Sequence, residues 1–486
     1  MHRLRDEILD RPDDTELRRV YADALVGRGD PRGELIQIQC ELEALPDDDA
    51  RRPALRRREL QLLADHEAEW LAPFREWLVA ARFRRGMLEH VSARPDRFFD
   101  GGGASALFAA EPVTSLSLRG LAGAAVDRLA AFPHQRRLRA LAVRESAVGA
   151  AVTMAVSDGR FDALSELDLY AARGGAQSGN ELVDAPVAPR LTSLNLSGNY
   201  LGPRALEKLL ASPRLSSLRT LALGWEAKGP DGARLVRDGV ALPALERLDL
   251  SCNQLGDEGL AHLVEARWLS RVIALRLERN ELGPRAMEAL AATPHLQRLE
   301  SLDLGTNVLG SAGAQALAAA AWPSLRHLNL HQSALGDDGA RALATGAWPS
   351  LGELILSDCG LGAAGAAALA SGAFPSLTRL DLWSNRIGDA GAAALAASPA
   401  LRHLRTLVIA NADVGDEGVA AIAAAAWPRL ERLVLRGNAL GGRAAAALAA
   451  STTMPALVEL DLTQTGIPTR ALRNLRAHVG VGLALR

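Results

Sequence analysis

The phrase "LERLDLSCNQLGDEGL", residues 245–260, returns with small changes every 25 to 27 residues, and nothing else in the chain restricts its fold as much. The first apolar residue of the phrase falls at Val113, Leu138, Leu164, Leu191, Leu218, Leu245, Val272, Leu299, Leu325, Leu351, Leu377, Leu404, Leu430 and Leu457, which makes fourteen repeats. A period of this length means a solenoid, in which each unit buries its apolar side against its neighbours. The length points the same way, because 486 residues exceed one ordinary core.

Each repeat reads in three parts. The L-x-x-L-x-L segment alternates with period two, so it is a short strand with one buried face. An Asn follows at 199, 253, 280, 307, 385 and 438, a residue with donors and acceptors for the backbone of a bend. Glycines and an Ala-rich stretch then supply a turn and a helix. Strands pair at ~4.8 Å whereas helices pack at ~8–10 Å, so the stack is expected to curve into a horseshoe, parallel strands concave and helices convex. At the Asn position Glu226, Ser333, Cys359 and Thr465 keep polar atoms, while Ala172 and Ala412 are expected to break the ladder. Repeat three, "AARGGAQSGNELVDAPVAPR", replaces a clear helix with Gly, Pro and polar residues and reads as a sequence-drifted loop, or alternatively as a protruding contact loop.

With the phrase L-x-x-L-x-L-x-x-N-x-L-G-x-x-G in view, residues 113 to about 470 resemble leucine-rich repeats of the ribonuclease-inhibitor type. The resemblance implies an α/β solenoid and a role in binding other proteins; one branch of that type stimulates a small GTPase. "RRVYADALVGRGDPRGELIQIQ" separately resembles the short repeat-companion domain that precedes such repeats in some large-genome bacteria, and implies no established activity.

Residues 1–95 are a different kind of domain, richer in charge and helical in pattern, with the repeat domain running over 96–486. Leu17, Val20, Tyr21, Ala24 and Leu25 share one helix face, with Asp13 as the expected cap three residues before Glu16. Asp30 and Pro31 open a second helix and 53–72 form a third, after the acidic "PDDDA" at 46–50. "FRRGMLEHVSA" reads as a turn and a strand that caps the repeats.

No nucleotide-binding, zinc-hydrolase or serine-hydrolase motif is present, so no catalytic residue, metal or cofactor is expected. "DGGGAS" at 100–105 lacks a following Lys and reads as a join. His327 and His331 share a strand face, but four residues span ~13 Å, too far for one zinc. Cys40 has no cationic neighbour in sequence to stabilise a thiolate. Three dispersed cysteines, no secretory leader and no apolar run of membrane length point to a cytoplasmic chain that is neither secreted nor membrane-bound.

What remains is surface. The third, fifth and seventh positions of each phrase face out of the sheet. Five aromatics in "AWP" and "AFP" (Trp322, Trp348, Trp427, Phe132, Phe374) read as core plugs, whereas Tyr170 and Trp383 fall on the open face with Trp225 beside it. Together with Arg276 and His331 they are the expected contacts for an unknown protein ligand. A chain of this kind is expected to be a monomeric, non-catalytic protein-binding scaffold. Regulation of a small GTPase is the alternative; nucleic acid is disfavoured because net charge is −2 and no basic stripe exists.

Overall fold

The computed structural model describes residues 2–46, 49, 51–100, 102–158, 161–479, 484 and 485. The acidic stretch 46–50 and the glycine run 100–105 therefore lie partly outside the described residues. Two compact units are present: residues 1–226 with 239–245, and residues 227–238 with 246–486.

The first unit opens with four helices, His2–Asp10, Thr15–Val26, Pro31–Ala44 and Arg52–Leu71. The cap of the second helix is Asp14, whose Oδ1 accepts from Leu17 N at 2.9 Å, one residue later than the expected Asp13. Asp13 instead pairs with Arg139 at 2.5 Å. Asp30 caps the third helix as its spacing to Pro31 requires, accepting from Arg32 N. Gly33 sits where helices two and three touch: a Cβ there would lie 2.6 Å from Ala22 O.

The expected single strand at 83–93 is a hairpin. Leu78–Arg84 pairs antiparallel with Met87–Ala93 around Arg85 and Gly86. Gly86 adopts φ +70° and presses on the third helix, where any Cβ would come within 2.2 Å of Ile36 Cγ1. Its inner strand then pairs in parallel with Ser115–Arg119, the first repeat strand. The outer strand carries Arg82 and Arg84 and two register irregularities, features that discourage further pairing at a sheet edge.

From there strands stack without a register slip. Leu116, Leu141, Leu167, Leu194 and Leu221 lie opposite one another in the first unit. In the second, Leu248, Leu275, Leu302, Leu328, Leu354, Leu380, Leu407, Leu433 and Leu460 do the same. All are at most 2% exposed. Each such side chain is worth roughly 1.5–3 kcal/mol of burial, and a one-residue slip would turn the whole column to water. Trp322, Trp348, Phe374 and Trp427 are buried as plugs, and the indoles of Trp348 and Trp427 donate to Leu343 O and Ile422 O. Phe132 packs edge-on to Phe108 at 5.0 Å.

The Asn ladder works by double donation. Leu250 O accepts from Asn253 Nδ2 of its own repeat and from Asn280 Nδ2 of the next, at 2.8 and 2.9 Å. An Ala in the series therefore thins the ladder, and a carbonyl beside it keeps a donor where the neighbouring repeat carries the Asn. At Ala412, Leu382 O keeps Asn385 and Ile409 O keeps Asn438; at Ala172, Leu169 O keeps Asn199. Glu226 substitutes differently, accepting from the backbone N–H groups of Asn199, Tyr200 and Leu201. Repeat three, expected as a loop, contains the helix Gly175–Asp184 with Leu182 buried.

Candidate interaction surface on the strand faces

Alternation sends Leu407, Ile409 and Leu433 inward and therefore sends Val408, Ala410 and Val434 to the opposite, open side of the sheet. These three form an apolar cluster exposed by only 8%, 2% and 7%. The register sets Ala410 between Trp383 and Arg436. Trp383 is 43% exposed, a large indole in the turn two residues beyond the Arg379–Asp381 strand and beside a methyl-sized neighbour. Its backbone N–H is fixed by Asp381 Oδ1 at 3.1 Å, and that carboxylate also accepts from Ser357 Oγ at 2.9 Å.

Charged groups border this shelf on one side. Glu353 bridges His327 and Arg379, each at 2.8 Å, and Arg379 reaches Asp381 at 3.1 Å. The hydrogen bond from His327, helped by Arg379, holds the Glu353 carboxyl below its usual range against the opposing effect of burial. On the other side Arg436 donates to Gln464 Oε1.

Of the sequence-expected residues, Tyr170 and Trp225 are brought together in the first unit, ring centroids 6.0 Å apart and planes at 59°. They come from repeats three and five. The intervening repeat carries Ser197 and Gly198, and repeat five contributes Gly224, small enough for the rings to meet across it. Trp225 has φ +62° and is 37% exposed; Tyr170 is half-buried. In the second unit Arg276 is exposed and lies 3.8 Å from Asp249, and His331 lies 3.7 Å from Glu278 while bonding Thr306 Oγ1 at 3.0 Å. Neither joins the Trp383 shelf. Sequence reading passed over Val408 and Val434, although two valines in a column otherwise rich in Asp and Asn were the available signal.

Among the described residues, no three His, Cys, Asp or Glu side chains converge to hold a metal. The two-histidine strand is shorter than expected, ending at Asn329, so His327 and His331 serve separate partners. The three thiols are free. Cys40 does have cations nearby, Arg18 and Arg85, but burial outweighs them and pushes its pKa up. Among the described residues no helix is long and apolar enough to cross a membrane.

The family model described as "Leucine Rich repeat" matches six segments, residues 242–264, 295–318, 323–344, 349–370, 375–396 and 400–423. These are leucine-rich repeats. The matched segments carry the in-register leucine column of the second unit, and the same strand–bend–helix pattern continues on either side. No curated protein matches the sequence. Among solved structures, the leucine-rich-repeat chain is similar to one in the yeast Rad7–Elc1 complex, with 17% identity, TM-score 0.41, and coverage of 70% of this chain and 87% of that one. An internalin from Listeria monocytogenes gives 18%, 0.39, 76% and 86%. A leucine-rich-repeat protein of Leptospira interrogans gives 18%, 0.36, 77% and 84%.

Proposed function

We propose that this leucine-rich-repeat chain is a non-catalytic scaffold that binds a protein ligand on the open strand face, around Trp383. The supporting observation is the shelf itself: a 43%-exposed indole beside the apolar Val408, Ala410 and Val434, bordered by the His327–Glu353–Arg379–Asp381 chain. An aromatic anchor over apolar ground with a polar border is the composition of an interface hot spot. The Asp381 carboxylate holds the Trp383 backbone in place, so little freedom is lost there on binding. Tyr170 and Trp225 are a second, smaller aromatic contact of the same kind in the first unit.

A photo-crosslinking amino acid at Trp383, and separately at helix-side Ala367, tests this in the native host. The expected result is one discrete adduct from position 383 and none from 367. With the crosslinker moved to the neighbouring Arg436, capture should fall at least tenfold in Trp383→Ala, with the urea midpoint unchanged. Equal labelling from both positions, or capture indifferent to Trp383→Ala, would place the site elsewhere.

A further inference from the structure

The first hundred residues hold 18 arginines against 22 acidic side chains, so this segment is acidic as a whole. Its folded form nevertheless concentrates positive charge in one place. A cleft of about 340 Å³ opens between the Pro31–Ala44 helix, the Arg52–Leu71 helix and the outer hairpin strand. Arg52, Arg56, Arg82, Arg84 and Arg85 line it, against two carboxylates, Glu43 and Glu59.

Those carboxylates are already engaged. Glu59 accepts from Gln39 Nε2 at 2.8 Å and Arg56 at 2.6 Å, and Glu43 pairs with Arg84. Behind the wall, Glu89 is shared by Arg18 at 2.7 Å, Arg85 at 2.8 Å and Arg84 at 3.5 Å. Arg18 and Arg85 are themselves buried. Arg85 also lies 3.6 Å from the Asp13 carboxylate and 3.7 Å from that of Glu43, and five guanidinium groups still face two carboxylates around the open space.

Two of the guanidiniums, those of Arg52 and Arg85, are also held in position. Arg52 donates to Leu42 O and Leu45 O at the end of the third helix, and Arg85 is clamped by Glu89 and by Asp13 O. Gln39 Oε1 accepts from Gly86 N at 2.7 Å, tying the hairpin turn to the cleft floor. Arg82 stands exposed on the edge strand and has no ion pair among the described residues. Planar forks fixed on several walls suit a tetrahedral oxyanion, which accepts from several directions at once.

We propose that this arginine cleft binds a phosphate dianion, free or at the end of a small ester. The anion neutralises the surplus charge, accepts from Arg82 and Arg56, and links the two helices to the hairpin. The cleft exceeds the size of one phosphate, which leaves room for the rest of an ester. Nothing in the strand-face reading is needed for this site, so either can fail alone.

The test is calorimetric titration of the full-length chain with inorganic phosphate and with glycerol 3-phosphate, at constant ionic strength set by chloride. Saturable one-to-one binding of either compound is expected, weakened at least tenfold in Arg82→Ala and abolished in Arg56→Ala/Arg82→Ala. Tighter binding of glycerol 3-phosphate identifies the ester as the ligand; equal affinity identifies free phosphate. Both variants should keep the wild-type thermal midpoint in chloride, and only the wild type should gain from the bound anion. No saturable heat from either compound, or binding unchanged in the double variant, would overturn the proposal.

Discussion

The Sγ of Cys359 donates to Leu330 O at 2.9 Å and to Ser357 O at 3.5 Å, where other repeats place an Asn amide. Leu330 belongs to the repeat whose own Asn position is Ser333, and Ser333 Oγ turns to His331 O instead. Cys359 thus supplies the side-chain donor that two neighbours supply elsewhere. Cys359→Ala should cost about 1–2 kcal/mol in urea unfolding by stripping a buried carbonyl, and Cys359→Asn should be at least as stable as wild type. Burial pushes this thiol's pKa up to about 12, against about 9 for an exposed one. Between those values an unfolded chain has lost the proton while the folded chain retains it. Stability from this group is therefore complete below about pH 9 and declines as pH rises towards 12. The difference in midpoint between wild type and Cys359→Ser, followed over that range, checks the sign. Half-buried Cys252 should react with a thiol reagent in the native chain, and Cys359 only after unfolding.

Helices are joined to their neighbours by a device that the repeat phrase conceals. Asp389, in the first turn of one helix, accepts at Oδ1 from Gly415 N at 2.6 Å and Gly418 N at 2.9 Å, the start of the next helix. Asp257, Asp337 and Asp416 do likewise for the helices that follow them. At the other end Thr293, Ser398 and Ser451 donate back to Val264 O, Ala370 O and Ala423 O. Asp389→Ala should cost about 1–2 kcal/mol, as for other lost caps. Asp337→Ala/Asp389→Ala should come close to the sum of the single changes, because the two sites share no partner. Thermal or urea unfolding of the three variants decides it.

Leucine columns, Asn positions and aromatic plugs were legible in the sequence because each recurs with the period. The Asp caps were not, since the partner lies 25 or more residues away and alternation along one helix gives no hint of it. The Gly175–Asp184 helix was missed for a related reason. Its own residues favour a loop, and burial of Leu182 and Val183 against adjoining repeats overrides them. Of the expected contact residues, alternation alone pointed Trp383 outward, and its indole is 43% exposed; that Tyr170 meets Trp225 depended on small side chains in the repeats between and beside them.

At the scale of the whole molecule, the first repeat strand does not end the sheet of its unit, because Met87–Ala93 pairs with it and Leu78–Arg84 lies outside that. Removing residues 1–95 would uncover the backbone edge of Ser115–Arg119 and the buried leucines behind it. The truncated chain should aggregate or unfold at a clearly lower midpoint than the full chain. A soluble truncation with the full chain's midpoint would make the first 95 residues an independent module.

The paired amide donors of the ladder also bear on how such a chain changes over generations. Repeats such as those of Asn307, Asn385 and Asn438 give one amide bond to themselves and one to their predecessor, so inserting a complete Asn-bearing period leaves each acceptor with its complement. Duplicating a fraction of a period would strand carbonyls at the join. Gene lengthening or shortening in whole multiples of 25 to 27 residues is therefore chemically silent, and a lineage can count its repeats up or down without rewriting the rest.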